Sequence, residues 1–376
     1  MNRDMVVLSV FGTRPEAIKM APLVKALEKA DGIRSLVCVT AQHRQMLDSV
    51  LAQFHIAPDY DLNLMKRGQT LTSITTGVLE GMDKVLEECR PDLVLVHGDT
   101  TTSSAAALAA FYHHVAVGHV EAGLRSFDKY SPYPEEMNRV LTGHIADLHF
   151  APTTRSRDNL ARENVTRGVY VVGNTVIDAL RQMVHHDYVF ENKALKNLPL
   201  SKGRWILMTA HRRENLGQPL RQICQAVKRL VKDHPDVHLI YPVHPNPAVR
   251  ETVLNVLVGT ERVHLIDPIE VEDMHNLIGR CFMVMTDSGG LQEEAPALGK
   301  PVIVLRTETE RPEVLKAGLA ILAGVEEKDV YEAGKLLLNS EEVYHRMSHA
   351  INPYGDGHAS EKIVSILQAY WRDRVE

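Results

Sequence analysis

The feature that most constrains this chain is an alternation. Short β-branched runs recur along almost its whole length, each followed by a longer stretch with helical spacing. In the first half the runs are Val6–Val10, Leu36–Thr40, Leu93–Val96, Val115–Val120, His149–Ala151 and Val169–Val172. In the second half they are Ile206–Thr209, His238–Pro242, Val263–Ile266, Phe282–Thr286 and Val302–Leu305. Amphipathic patterns such as Ala17–Ala30, Gln42–Phe54, Leu71–Glu88 and Leu220–Asp233 fill the intervals. A strand followed by a helix returns to its sheet by a crossover, so the rhythm predicts α/β architecture with parallel sheets.

The rhythm breaks once. Before Trp205 the chain reads HHDYVFENKALKNLPLSKG, a charged stretch with no clear strand. That break puts a domain junction near residues 173–200. It predicts two Rossmann-like, doubly wound domains with a central cleft, which suits 376 residues, since cores rarely grow past about 250. The expected division is 1–175, 176–359, and a C-terminal helix over 360–376 packing back on the first domain.

Composition removes several function classes. A net charge of −6 offers no basic face for nucleic acid. No apolar run approaches the roughly 18 residues of a membrane span. The N-terminus passes straight into the first strand without a small-residue cleavage site, so a cytoplasmic protein is expected. Cys38, Cys89, Cys224 and Cys281 are far apart, mostly in or beside apolar stretches, and read as buried thiols rather than a disulfide frame or zinc site.

Polar clusters end several of the strand runs, where open parallel sheets place their ligand crevice. After Val6–Val10 comes Phe11-Gly-Thr-Arg-Pro-Glu-Ala-Ile-Lys19. Gly12 permits a tight turn, Pro15 fits the first turn of a helix, and Arg14 with Lys19 adds charge at an anion-attracting N-terminus. An ordinary strand-to-helix turn with solvated basic residues is the equal alternative. After Phe282–Thr286, Ser288-Gly289-Gly290 opens a helix whose backbone N–H groups suit a diphosphate, a reading favoured over a structural cap. Glu294, one turn on, suits a ribose diol. Gly299-Lys300 is followed by Pro, so this is no Walker motif. His211 and Arg212, in Thr209-Ala-His-Arg-Arg-Glu-Asn215, suit a phosphate leaving group.

Between His97 and Arg139 lie acids at strand ends and in an aromatic, proline-rich loop: Asp99, Glu121, Glu135 and Glu136. Asp99, before three threonines, suits either chemistry or a helix cap. Glu121 ends an apolar run, where burial would favour acid–base work. His97, His119, His144 and His149 lack metal-ligand spacing and read as supporting the fold. Carboxylates without such spacing point to proton transfer, not a metal. A diphosphate pocket on one half and carboxylates on the other suggest chemistry on a nucleotide sugar. No G-x-G-x-x-G follows a strand, which argues against a nicotinamide cofactor. Epimerisation at C2 of a 2-acetamido sugar then has to expel the diphosphate from C1 while C2 loses its proton.

The motifs GTRPEAIKMAP (12–22), TAQHRQML (40–47), VHGDTTT (96–102), GHVEAGLRS (118–126), YSPYPEEMNR (130–139), TAHRREN (209–215), TDSGGLQEEAP (286–296), GKPV (299–302), TERP (309–312) and NPYGDG (352–357) occur in order along the chain. In these it resembles the bacterial non-hydrolysing UDP-N-acetylglucosamine 2-epimerases. The resemblance implies a glycosyltransferase-B type fold, a homodimer, no cofactor, and interconversion of UDP-GlcNAc and UDP-ManNAc through 2-acetamidoglucal, serving surface polysaccharide synthesis. It implies Asp99, Glu121 and Glu135 as acid/base groups, with Glu136 the bystander, and His211 assisting the departing UDP. Arg14, Lys19, Ser288, Gly289, Gly290 and Arg311 would hold phosphates and nearby groups, Glu294 the ribose, and Ile269 with Met274 the uracil.

Some members of that family are activated by a second UDP-GlcNAc. The matching elements are Gln42, Gln45 and His244, with Glu135 and Arg212 near both ligands. Gly68 stands where activated members often carry Arg, and Arg67 lies one residue earlier. The rival readings are an epimerase of a diamino or uronic UDP-sugar, a sugar transferase of the same fold, a hydrolysing relative and a sugar-nucleotide sensor.

Overall fold

The computed structural model describes residues 3–40, 44–65 and 68–375. It divides into two compact units, Met1–Arg181 with Tyr354–Glu376, and Gln182–Pro353. Residues up to Arg181 stay with the first unit partly through Asp178. Its buried carboxylate accepts the N–H groups of Ala359 (3.2 Å) and Ser360 (2.7 Å), which open the last helix, Ala359–Val375. That helix is tied further by Gln368 Nε2 to the Asp31 carbonyl (3.0 Å) and Trp371 Nε1 to the Arg3 carbonyl (3.2 Å).

The first unit contains strands β1 (Met5–Phe11), β2 (Ile33–Val39), β3 (Tyr60–Asp61), β4 (Leu93–His97), β5 (Ala116–Val120), β6 (Leu148–Ala151) and β7 (Val169–Val171). They pair in the order β3-β2-β1-β4-β5-β6-β7, every pair parallel. Helices cover both faces, so the central strands are apolar almost without interruption; all five residues of β4 are buried. Ala105, Ala106, Ala109 and Ala110 of the helix Thr101–Tyr112 pack into the cluster of Val10, Val94 and Val96. Strand order reverses between β1 and β4. There the loops after the two strands part and leave the crevice that open α/β sheets use for ligands.

The second unit repeats the plan with β8 (Arg204–Thr209), β9 (Val237–Pro242), β10 (Val263–Ile266), β11 (Met283–Thr286), β12 (Val302–Val304) and β13 (Ala320–Leu322). Their order is β10-β9-β8-β11-β12-β13, again all parallel, with the reversal between β8 and β11. The helix Gln218–Asp233 buries Leu220, Ile223, Val227, Leu230 and Val231, the stripe that 3.6-residue spacing puts on one face. Two doubly wound α/β units are thus the observed architecture.

β3 and β13 have no counterpart among the expected strands. Both are sheet edges of two and three residues, paired on one side only. An extended segment that short needs one partner and little apolar burial, so it carries no run to read. The charged stretch before Trp205 falls within the second unit and holds the short helix Lys193–Lys196 and no strand. No described helix is long and apolar enough to cross a membrane.

Candidate active site

In the first unit the loops after β1 and β4 are stapled together by Glu16. Thr13 caps the helix Arg14–Glu28, and the Glu16 carboxylate returns to the N–H groups of Gly12 (3.1 Å) and Thr13 (2.8 Å), completing a capping box. Its other oxygen accepts the hydroxyls of Thr100 (2.7 Å) and Ser103 (3.0 Å) from the second loop. A Cβ on Gly12 would lie 2.1 Å from Thr40 Oγ1 and 2.8 Å from Thr102 Oγ1. Close approach of these segments, rather than a tight turn, is what requires glycine at this position. Arg14 occupies the first turn of the helix, and Lys19 lies further along it.

The cap of the helix Thr101–Tyr112 is Thr100, whose hydroxyl accepts the Ser103 N–H at 3.1 Å. Asp99 precedes the cap and does not serve as one. Its carboxylate meets Arg139 Nη2 at 2.6 Å, and its carbonyl accepts Asn138 Nδ2 at 2.9 Å. Burial raises the Asp99 carboxyl above the ordinary carboxylate range, against the opposing pull of Arg139. The charges of Glu121, Lys19 and Glu135 also reach it, so the fold brings the three expected acids into one electrostatic neighbourhood.

Glu121 follows β5 directly with φ of 61°, a left-handed conformation that costs a non-glycine residue about 1–2 kcal/mol. Its carboxylate pairs with Lys19 Nζ and accepts Asn174 Nδ2 at 3.0 Å. His97 Nε2 lies 3.8 Å away, buried and without a hydrogen-bond partner among the described residues. Burial pushes the His97 pKa down to about 4 despite the attraction of Glu121. His97 is therefore neutral near pH 7, and Lys19 supplies the positive charge beside Glu121.

Glu135 opens the helix Glu135–Ile145 and is half-buried. Glu136 beside it has a different task. Its buried carboxylate accepts the N–H groups of Ser126 (3.0 Å) and Phe127 (2.8 Å) and lies 3.4 Å from Arg139. It anchors the loop that precedes the helix. Arg139 thus bridges Asp99 and Glu136. Sequence reasoning did not single out Arg139 or Asn174; for Arg139 the available signal was its spacing, three residues after Glu136 on one helix face.

In the second unit the loop after β8 carries His211 and Arg212, and the loop after β11 begins with Asp287. Thr209 and Thr286 join the strand ends through their hydroxyls at 2.7 Å. Asp287 has no exposed surface. Its Oδ2 accepts the N–H groups of His211 and Arg212, each at 2.8 Å, and Asn215 Nδ2 at 3.0 Å. His211 is partly exposed, with Nδ1 3.9 Å from Asp287 Oδ1, and its ring stacks on His244 at 5.0 Å between centroids. Burial lowers the His211 pKa, opposed by Asp287 and reinforced by His244 and Arg212.

Ser288 begins the helix Gly289–Ala297 but makes no side-chain capping bond, so the first-turn N–H groups are not closed off by its hydroxyl. Gly290 is exposed at that end. Glu294, one turn along, meets His275 Nε2 at 3.1 Å. Arg311 pairs with the buried Glu293 and lies 3.6 Å from Glu310. Ile269 sits in the loop after β10 and Met274 on the helix Val271–Arg280, both half-buried. Gln42 and Arg67 lie outside the described residues, as does the side chain of Gln45; Gly68 is described, with φ of 71°. Among the described residues no group of three or more His, Cys, Asp and Glu could hold a metal ion.

A family model described as UDP-N-acetylglucosamine 2-epimerase matches residues 25–368. The UDP-N-acetylglucosamine 2-epimerase of Bacillus subtilis (strain 168) is 54% identical over 375 residues, covering 100% of this chain and 98% of that one. The structure of S. aureus MnaA with UDP superposes with a TM-score of 0.86 at 49% identity, covering 98% of this chain and 97% of that chain. The UDP-GlcNAc 2-epimerase from Neisseria meningitidis bound to UDP-GlcNAc gives a TM-score of 0.83 at 47% identity, covering 97% and 100%. The chain belongs to the UDP-N-acetylglucosamine 2-epimerase family, a family of isomerases.

Proposed function

We propose that this enzyme interconverts UDP-GlcNAc and UDP-ManNAc by eliminating UDP and adding it back. A carboxylate removes the C2 proton, the C1–O bond breaks with its electron pair leaving on UDP, and a C1–C2 double bond forms in 2-acetamidoglucal. Return of a proton to the opposite face of C2, with attack of the UDP oxygen on C1, gives the other epimer. The proton balance closes without an external oxidant.

The roles follow from what each group can do. Asp99, Glu121 and Glu135 are the acid/base set. A base is most effective when its pKa approaches the working pH, and burial moves Asp99 that way. His211 and Arg212 meet the departing diphosphate. The open N-terminus supplies the N–H groups of Gly289 and Gly290 to the phosphates, and Ser288, whose own N–H is taken by Thr286 Oγ1 at 2.9 Å, offers its hydroxyl, aided by Arg14 and Arg311. Glu294 takes the ribose diol, and Ile269 with Met274 the uracil. Gln42, Gln45 and His244 belong to an activating site for a second UDP-GlcNAc. The same reading includes a cytoplasmic homodimer that feeds surface polysaccharide synthesis.

The observation that carries it is the setting of Glu121: a carboxylate in a strained backbone conformation, next to Lys19 and sharing its field with a second acid of raised pKa. Strain and perturbed acids gather where chemistry is done. The test is incubation with UDP-GlcNAc in deuterated water, followed by NMR. UDP-ManNAc bearing deuterium at C2, formed without nicotinamide, is the expected product. Free ManNAc as the main product would assign a hydrolase, and absence of turnover would reject the substrate. Glu121→Gln should abolish exchange while UDP affinity stays within about threefold, because it removes only transition-state chemistry.

A further inference from the structure

Glu121 is held by Asn174, a residue of the first unit that lies shortly before the chain leaves that unit. The chain leaves the first unit after Arg181 and re-enters it at Tyr354. The outgoing and returning segments lie against each other within that unit. Asn174 N–H donates to the Tyr354 carbonyl at 2.7 Å, and Arg181 Nη1 donates to the Gly357 carbonyl at 3.2 Å. Gly173 and Gly355 both have positive φ, and a Cβ on either would come within 3.1 Å of the other segment's backbone. The contact leaves no space for larger residues.

Asn174 is 2% exposed, and its amide orientation is fixed by its partners. Oδ1 accepts the Val176 N–H at 3.1 Å, a bond that only the oxygen can make. Nδ2 is therefore the atom facing Glu121, and it donates to Oε2 at 3.0 Å. Lys19 Nζ and His97 Nε2 approach the same oxygen. Beside the charge of Lys19 and the neutral buried ring of His97, the amide is a neutral donor that helps fix the rotation of the carboxylate.

We propose that Asn174 is a positioning residue for the proposed proton-transfer group Glu121, orienting its carboxylate from the paired outgoing and returning segments of the first unit. The inference rests on the role given to Glu121 above. It assigns Asn174 no contact with substrate, so its loss should appear in kcat and in the pH profile, not in substrate affinity.

Two variants separate positioning from support of the fold. Asn174→Asp keeps the oxygen that accepts from Val176 but sets a second carboxylate against Glu121. Like charges at that range raise a carboxyl pKa, so the acidic limb of the exchange rate should move up by about one pH unit or more. Asn174→Ser keeps a short acceptor for Val176 but does not reach Glu121. Its kcat should fall about tenfold with KM and UDP affinity within about twofold, since a slightly misplaced group loses rate before affinity. Thermal unfolding of each variant reports whether the fold is intact.

Folded variants with wild-type kcat and an unmoved acidic limb would overturn the proposal, as would losses confined to KM and UDP affinity. If only Asn174→Ser folds, its kcat decides. Glu121→Gln, run alongside, distinguishes the two levels. Full exchange activity in that variant removes the role of Glu121 itself, whereas a dead Glu121→Gln enzyme beside unaffected Asn174 variants removes only the role of Asn174.

Discussion

Replacing Asp287 with alanine should unlatch the loop that carries His211 and Arg212, and the structure sets the size of the effect. The carboxylate is fully buried, and one oxygen receives two backbone N–H groups at 2.8 Å and the Asn215 amide at 3.0 Å. Hydrogen bonds to a charged acceptor contribute about 1.5–3 kcal/mol each, so three set a ceiling of about 5–9 kcal/mol. Two effects reduce it. The His211 side chain is 40% exposed, so water reaches the two freed backbone donors from one side, though not the buried Asn215 amide. Alanine also removes the cost of burying a charge. About 3–5 kcal/mol should remain, which lowers the unfolding midpoint of the second unit by about 10 °C.

Asp287→Asn is the control for that estimate. Its carbonyl can keep the place of Oδ2 while its amide turns toward the His211 ring, and the loss should shrink to about 1–2 kcal/mol. Denaturant unfolding gives the stability change, and UDP titration with exchange kinetics shows whether loop order reaches the proposed leaving-group residues. An Asp287→Ala enzyme within about 0.5 kcal/mol of wild type, the usual range of a neutral surface change, would refute the reasoning.

Asp99→Asn should abolish C2 exchange without loss of stability at pH 7. The folded state holds the Asp99 proton more tightly than the unfolded chain does, so ionised Asp99 costs stability once pH rises through its raised pKa, and asparagine removes that cost; a clearly destabilised variant at pH 7 contradicts this. His97 and His149, pushed down to about 4, and His119, pushed down to about 3, are neutral in the folded first unit. The unfolded chain binds their protons first, so stability should fall as pH drops from about 6.5 toward 4, by about 3 kcal/mol per histidine. Urea midpoints at pH 7, 5 and 4 measure it, and His149→Gln should flatten the slope. Gly12→Ala should cost about 1–3 kcal/mol by overpacking against Thr40 and Thr102, and Gly12→Ala with Thr40→Ala should recover part of it, which a double-mutant cycle checks.

What the sequence could show was set by range. Central strands such as Val6–Val10 and Leu93–Val96 were legible because helices cover both faces of a parallel sheet and leave no polar alternation. Asp99, Glu121 and His211 were legible because each follows such a run at the end where loops gather. The partners that hold them were not. Asn174 reaches Glu121 across 53 positions, Arg139 reaches Asp99 across 40, and Asp287 reaches His211 across 76. A local pattern carries nothing about pairs that far apart. Glu16 is the instructive case: its helix start was legible, but its grip on Thr100 and Ser103 exists only once β1 and β4 lie side by side.

The two units solve the same problem with the staple running in opposite directions. In the first, the acid on the loop after the earlier strand, Glu16, reaches forward to the loop after β4. In the second, the acid after the later strand, Asp287, reaches back to the loop after β8. Each fixes the crevice at the reversal of strand order, and each does so with a carboxylate that is almost wholly buried. The oxygens of Glu16 receive four hydrogen bonds, two from backbone N–H groups and two from hydroxyls, and Glu136 is likewise committed to Ser126 and Phe127. A carboxylate whose acceptor positions are filled by its own fold has none left for a substrate proton. Asp99, by contrast, keeps 26% of its side-chain surface, and its carboxylate meets the Arg139 guanidinium rather than backbone N–H groups. Within the first unit, what occupies their oxygens therefore separates Glu16 and Glu136, which build the crevice, from Asp99, which stays open to it, a division that position along the chain does not provide.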